Sequence, residues 1–381
     1  MDFDLPADDD PRRIRVRQWL ADHPSPDGKT LAEAGYVVPH WPEPWGLNAE
    51  PIEQIIIDEE LKRAGVNRPM NPIGIGWAGP TIAYAGTDEQ KQRYLPRLLS
   101  GQDVWCQLFS EPGAGSDLAA LSTRAVEDGD EWIVNGQKIW TSLGHVAKYG
   151  ILIARTDPDQ PKHQGVSYFV CPMDLPGIEV RPIIEMTGAH LFNEVFFTDV
   201  RIPNENLIGP KHGGWALAKV TLGNERVSLS GEGALWGRGP TADDLIDYAK
   251  TLRVTDAVMR QRIATLYSES EILRLIRLRT VSAAIKGRPP GPEASVRKAL
   301  ADEHGQHIMA LAKDLAGARG MLATQDQWHY GYLFAPALTI GGGTSEVQRN
   351  IIGERVLGLP HDIDVEVGKS WAESRKVAPP R

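Results

Sequence analysis

With 381 residues, the chain is longer than one hydrophobic core usually spans and leaves room for two or three compact domains. Its 38 Gly, 28 Pro and 41% hydrophobic residues describe a loop-rich globular protein, not a disordered chain, a coiled coil or a collagen-like repeat. A formal net charge of −9 with no basic face argues against general nucleic-acid binding, although a local cationic pocket for an anionic ligand remains compatible with it. The cysteines Cys106 and Cys171 make no disulfide framework and match no zinc spacing, so they read as buried thiols in a reducing cytosol. The acidic start, Met1-Asp2-Phe3-Asp4 and then Asp8 to Asp10, is the reverse of a signal peptide, and no apolar run approaches the roughly 20 residues that span a bilayer. A soluble, cytoplasmic protein without membrane insertion is expected.

Up to about residue 104 the pattern is helical. Ile52, Ile55, Ile56, Glu59, Glu60 and Leu61 predict an amphipathic helix after Pro51, and Thr87-Asp88 opens another that runs to Leu99. Gly- and Pro-rich chain between them suits ligand-facing loops. Near Trp105 the pattern changes to short β-favouring runs: Trp132 to Val134, Gly150 to Ala154, Val166 to Val170 and Val195 to Phe197. Asn135-Gly136 predicts a hairpin turn, and the region predicts a small antiparallel barrel or sandwich. Helices return after Gly213, with Leu266, Leu273, Ile276 and Ala284 on one and Ile308, Leu311, Ala312 and Leu315 on the next, separated by Pro289-Pro290-Gly291-Pro292. Domains are therefore expected at 1–104 (helical), 105–210 (β) and 211–381 (helical).

Three segments could carry chemistry. In Glu111-Pro112-Gly113-Ala114-Gly115-Ser116-Asp117 the glycines permit close backbone approach to a ligand and Ser116 offers a hydroxyl; Leu118 stands where a dinucleotide fingerprint needs Gly, and an ordinary turn fits the segment alone. In Asn135 to Ser142, Trp140 could stack on a planar group while Thr141 and Ser142 bond its edge, or Trp140 could be a core residue. Gly341-Gly342-Gly343-Thr344-Ser345-Glu346 feeds a helix whose Ser345 and Gln348 read as a capping box, giving either an anion-binding start or a plain glycine entry. His212-Gly213-Gly214 lacks any Gly-x-Ser-x-Gly to make a serine hydrolase. His304 and His307 lack partners for a zinc motif and read as surface-helix residues, so no metal is expected.

The order and spacing of these segments, with Phe192-Asn193-Glu194-Val195-Phe196-Phe197, Pro203 and Gly343-Thr344-Ser345-Glu346, resemble the acyl-CoA dehydrogenase family of flavoproteins from about residue 30 to about 360. The acidic start suggests a bacterial member. The resemblance implies an α+β subunit with an N-terminal helical domain, a middle β-barrel and a C-terminal four-helix bundle, usually assembled as a homotetramer. It further implies FAD as cofactor, an acyl-CoA substrate of fatty acid or lipid metabolism, and electron-transfer flavoprotein as electron acceptor. A carboxylate would take the α proton while the β hydrogen leaves as hydride to flavin N5, giving the 2-enoyl-CoA. By motif match Phe109, Ser110, Trp140, Thr141 and Ser142 line the isoalloxazine, Gly115 and Ser116 lie by the cofactor or the CoA near the pyrophosphate, and Thr344 and Glu346 contact FAD.

The base departs from the commoner pattern. Many members carry a Glu two residues before the Thr of Gly-Thr-Ser, where this chain has Gly342, a position that would face substrate. A group resembling isovaleryl-CoA dehydrogenase places it before an Arg on an earlier helix, and Glu225-Arg226 matches that arrangement, with Arg226 toward the CoA. An isolated ion pair on a helix is the plainer reading of the same residues. The Arg-x-x-Phe-Gly segment that reaches a partner subunit's FAD is replaced by Gly237-Arg238-Gly239-Pro240 and the acidic Asp243-Asp244, and the Gln before the Gly-Gly loop falls at Asp314. Competing readings are an acyl-CoA oxidase or flavin monooxygenase on the same fold, and a non-catalytic subunit of a mixed oligomer.

Overall fold

The computed structural model describes residues 6–229, 233–285, 291–292, 294–324 and 326–376; among these, the side chains of 226–229, 281–282, 284–285 and 376 are not described. Helices α1 (Pro11–Asp22), α2 (Gly28–Glu33), α3 (Pro51–Arg63), α4 (Gly79–Ala85) and α5 (Asp88–Leu99) come first. Strands β1 (Trp105–Leu108), β2 (Arg124–Asp128), β3 (Glu131–Lys138), β4 (Tyr149–Arg155), β5 (Val166–Pro172), β6 (Ile178–Pro182), β7 (Asn193–Pro203) and β8 (Leu207–Ile208) follow. Helices then resume as α6 (Gly214–Leu229), α7 (Ala242–Thr251), α8 (Ala257–Ile285), α9 (Ala294–Ala316), α10 (Gln327–Phe334), α11 (Ser345–Ile351) and α12 (Trp371–Lys376). The described chain divides into two compact units. One holds the chain up to Glu185, His190–Asn224 and the segment from Asp364 onward; the other holds Met186–Ala189 and Glu225–Ile363.

In the first unit the expected helices form where their signals stand. Thr87 caps α5 through a reciprocal box: Gln90 N donates to Thr87 Oγ1 (3.2 Å) and Thr87 N to Gln90 Oε1 (2.9 Å). Buried Tyr94, Leu95, Leu98 and Leu99 on α5 share a core with Trp105, Ile151, Ile153, Val170 and Ile208 of the sheet. The opposite sheet face buries Cys106, Trp132, Leu152, Phe169, Cys171, Val195 and Val200. Strand β4 is thus apolar on both faces, and burial pushes both free thiols upward in pKa.

The sheet runs β6-β7-β3-β2-β4-β5-β8, with β1 parallel beside β4. Parallel contacts β1–β4 and β2–β4 correct the expectation of an all-antiparallel arrangement. The hairpin expected at Asn135-Gly136 is also corrected. The chain reverses between β2 and β3, at Asp128-Gly129 with Gly129 at φ +66°, and β3 continues through Asn135-Gly136 as a bulge against β7. Gly136 has φ +153°, and a Cβ there would stand 2.4 Å from Thr123 Oγ1, so only glycine lets the bent strand pass.

In the second unit α9 is the hub, burying Ile308, Met309, Leu311 and Ala312. A Cβ on Gly305 would meet Ala234 O at 2.1 Å, which is how the turn before α7 packs so closely on α9. His304, expected on the surface, is buried: its Nδ1 lies 2.9 Å from Glu269 Oε2 on α8, and burial holds its pKa below the ordinary value. The acidic Asp243-Asp244 pair is explained as a helix start, with Asp244 closing a capping box on Thr241. Of the Pro289 to Pro292 separator, 289–290 lie outside the described residues.

Candidate active site

The motif segments of the first unit are held together by a buried charge pair. Lys138 ends β3 with no exposed surface, and its Nζ donates to Glu111 Oε1 and to Phe109 O, both at 2.9 Å. Glu111, itself buried, also accepts Ser122 N (2.6 Å) and Thr123 N (2.8 Å). Burial works against its charge, but Lys138 and these donors outweigh it and hold the carboxyl below its ordinary value. Burial pushes Lys138 down, offset in part by Glu111. The Glu of the first motif and the Lys of the second thus fasten their own segments to each other. Ile139 N completes the join by donating to Ser110 O at 2.9 Å.

Beyond Lys138 the chain turns sharply: Trp140 has φ +60° and Leu143 φ +61°. Asn193, of the Phe192 to Phe197 segment, fixes this turn, because its Nδ2 donates to Thr141 O (2.9 Å) and Thr141 N donates to Asn193 O (3.0 Å). Such a left-handed residue is rare outside glycine and needs surroundings that enforce it. The outcome is a 57% exposed Trp140 indole beside a fully buried Thr141 whose Oγ1 has no hydrogen-bond partner. An orphaned buried hydroxyl beside an exposed aromatic plane fits the edge and face of a planar heterocycle such as an isoalloxazine.

The other positions differ. The Phe109 ring is 2% exposed and packs edge-on to Tyr168 at 6.0 Å, so it lies in the core of the unit. Ser110 and Ser142 are half-buried, and Gly115 and Ser116 are exposed just beyond a tight turn closed by Glu111 and Ala114.

In the second unit Glu225 is a buried carboxylate at the start of the unit, on α6. Arg226 lies on the same helix, but its side chain is outside the described residues. Gly342 has φ +68° and Gly343 φ +87°, and Gln348 Nε2 donates back to the carbonyls of both. The helix cap is Thr344, not Ser345: Val347 N donates to Thr344 Oγ1 at 3.2 Å. Ser345 Oγ is left buried and unpartnered. An open depression of about 520 Å³ here is lined by Glu303, His307, Thr339, Thr344, Glu346 and Arg349 among others. Asp314 pairs with Arg262 of α8 at 2.8 Å, and Gly237 to Pro240 form a turn before α7. Among the described residues, no group of three or more His, Cys, Asp and Glu could hold a metal ion, and no helix is long and apolar enough to cross a membrane.

The glycine loop has a buried support that local sequence patterns do not reveal. Lys298 Nζ on α9 donates to Asp302 and to the carbonyls of Leu338 (3.2 Å) and Gly341 (3.0 Å). Burial, only partly offset by Lys298, raises Asp302 to about 6. Because the folded value exceeds the ordinary 3.8, this group makes stability fall as pH rises from about 4 to about 6 and leaves it level above. Thermal unfolding of Asp302→Asn is expected to show a shallower slope in that window than the parent, and identical slopes would contradict this account.

The described chain thus runs from a helical segment through a bent sheet to a second helical segment, with an exposed Trp140 indole beside the unpartnered Thr141 hydroxyl on the sheet side. Residues 12–102, 106–200 and 212–357 match the models described as acyl-CoA dehydrogenase N-terminal, middle and C-terminal domains. The Mycobacterium tuberculosis protein named acyl-CoA dehydrogenase FadE34 is 42% identical over 330 residues, 87% of this chain and 45% of that protein, so the chain spans a little under half of that relative. Acyl-CoA dehydrogenase IpdE1 of the same organism is 36% identical over 379 residues, 92% of this chain and 97% of that protein. The solved structure described as Tcur3481-Tcur3483 steroid ACAD is similar at a TM-score of 0.77 and 29% identity, covering 95% of this chain and 100% of that one. The chain belongs to the acyl-CoA dehydrogenase family, which places it among oxidoreductases acting on an acyl-CoA.

Proposed function

We propose that the protein desaturates an acyl-CoA thioester between its α and β carbons, with FAD held against Trp140, Thr141 and Ser142 and with Glu225 as the α-proton base. The observation that carries this reading is the unpartnered Thr141 hydroxyl beside the exposed Trp140, on a turn enforced by Asn193. FAD, when bound, supplies the two-electron acceptor for such a reaction. The chain's own contributions are separate. Lys138 and Glu111 hold the two cofactor-facing segments in register, Thr141 offers a hydrogen bond, and Gly115 and Ser116 offer open backbone and a hydroxyl toward a pyrophosphate. Glu225 takes the proton from Cα, which is acidic enough only when the thioester carbonyl is polarised. Gly342, without a side chain, leaves that role to Glu225. Arg226 would serve the CoA, and Thr344 and Glu346 the cofactor.

The purified protein is expected to be yellow, with about one FAD per chain, and to bleach anaerobically on adding its acyl-CoA. A colourless protein that FAD does not reconstitute would overturn the reading, and rapid oxidation of the bleached form by oxygen would favour an oxidase or monooxygenase. The neighbour described as a steroid ACAD supports including a steroid-bearing thioester beside linear ones in the substrate panel. Electron-transfer flavoprotein is the proposed electron acceptor, and a homotetramer the proposed assembly. Exposed Leu357, Leu359 and Ile363 support association. Sedimentation at micromolar concentration tests it, a stable monomer being the contrary result.

Thr141→Val should separate binding from folding. Replacing an unpartnered hydroxyl by a methyl is expected to leave the apo-protein melting within about 0.5 kcal/mol of the parent while weakening FAD about fivefold to tenfold. Unchanged FAD affinity in a fluorescence titration would count against the Thr141 contact.

A further inference from the structure

We propose that the segment from Asp364 to Arg375 is a clamp on the loop Gly113 to Ser122, holding Gly115 and Ser116 where they meet a pyrophosphate-bearing ligand. The loop has little of its own to hold it. Gly113, Gly115, Ser116 and Asp117 are exposed, and a Cβ on either glycine would meet nothing within 4 Å. Its first end is fixed by Glu111. Its far end, the single turn Leu118–Ala120, is fixed by groups from elsewhere in the chain.

Trp371 Nε1 donates to Ala120 O at 3.3 Å, and Arg375 Nη2 donates to the same oxygen and to Ser122 Oγ (3.3 Å). Lys162 joins the two partners directly, reaching Asp117 of the loop (3.1 Å) and Glu366 of the clamp (2.6 Å). The clamp is seated on the β4–β5 connection by two main-chain bonds, Trp371 N to Gln160 O (2.8 Å) and Ala372 N to Pro158 O (3.0 Å). All these residues belong to one compact unit. The match to the family's C-terminal domain ends at residue 357, so the clamp is built from chain beyond it.

Arg155 explains why a tryptophan serves here. It is 3% exposed and forms no ion pair among the described residues. Its guanidinium instead donates to Ala119 O (2.6 Å) and Lys162 O (2.9 Å). Burial pushes its pKa down to about 10. The Trp371 ring lies 5.1 Å from this guanidinium and 5.5 Å from that of Arg375, so one indole covers a buried cation and gathers a second. Removing the ring lets water reach Arg155, whose guanidinium holds Ala119 O, and takes from Ala120 O one of its two donors, leaving Arg375 alone.

The identity of the ligand rests on the function proposed above; the clamp rests on geometry alone, and the experiment separates them. In the full-length protein, Trp371→Ala is expected to speed amide exchange across 116–122 at least tenfold while leaving β3 unchanged. It should also weaken the ligand about threefold to tenfold, with kcat at saturation within twofold of the parent. A weakened FAD titration assigns the loop to the FAD pyrophosphate, and a raised KM for acyl-CoA assigns it to the CoA. Trp371→Phe, which keeps a ring over Arg155 but loses the Nε1 donor, should recover part of the protection. Exchange unchanged in Trp371→Ala, or raised equally in β3, overturns the clamp. Should the parent protein take up no FAD, the function proposed above fails while the exchange measurement still decides.

Discussion

Glu225→Gln is expected to bind FAD and acyl-CoA normally and yet to lose flavin reduction by at least the roughly 10²–10⁴-fold that follows removal of a general base. The amide keeps the shape of the carboxylate but accepts no proton at the reacting carbon. Glu225 is a suitable candidate on two counts: it is 7% exposed, and the alternative position has no side chain. Rapid mixing under anaerobic conditions reads the reduction directly, without the later electron acceptor. Reduction at close to the parent rate would remove Glu225 from the mechanism.

Moving the carboxylate tests the same point from the other side. Adding Gly342→Glu to the Gln variant should return part of the rate if that position reaches the same proton. The backbone limits the gain, since Gly342 has φ +68° and an L-residue there costs about 1 kcal/mol or more. A doubly changed protein that melts lower but reduces its flavin faster than the single variant is the expected result.

The element order was legible because local signals and tertiary demands agree. Thr87 opens the helix expected after it, and Ile56 and Leu61 are buried on the helix that Pro51 opens. Asn135-Gly136 misled because the same dipeptide serves a tight turn and a bulge. The decision lies in β7, which goes on pairing Gly136, Gln137 and Lys138 with Phe197, Phe196 and Val195. Thr344 and Ser345 are adjacent hydroxyls, and the loop's path rather than their spacing selects the cap. Of the candidate site, the motif segments were legible but not the division of labour within them. Phe109 turns its ring to the core, while Glu111 and Lys138, unassigned from sequence, hold the segments together across 27 positions. The contacts of Trp371 and Arg375 span more than 250 residues and leave no local trace.

The Glu111–Lys138 pair should produce the largest stability change in the protein. Lys138→Met leaves a buried carboxylate without its ammonium, a loss of about 3–5 kcal/mol. It also frees Phe109 O, so the two segments proposed to face the cofactor should part, and FAD held as proposed should be lost before the protein unfolds. Combining Lys138→Met with Glu111→Gln removes the uncompensated charge, while the single Gln oxygen keeps one of the two amide bonds that Ser122 N and Thr123 N make to separate Glu111 oxygens. The double variant is therefore expected to regain part of the lost stability, a coupling of about 1–3 kcal/mol. Acid should mimic the single change. The folded pKa of Glu111 lies below the ordinary 4.5, so its contribution is complete above that value and is lost as pH falls through the lower, folded one. Denaturant unfolding at pH 7 and at pH 3 provides both comparisons. Single variants within 1 kcal/mol of the parent, or a double variant no more stable than Lys138→Met, would show that the pair does not hold these segments.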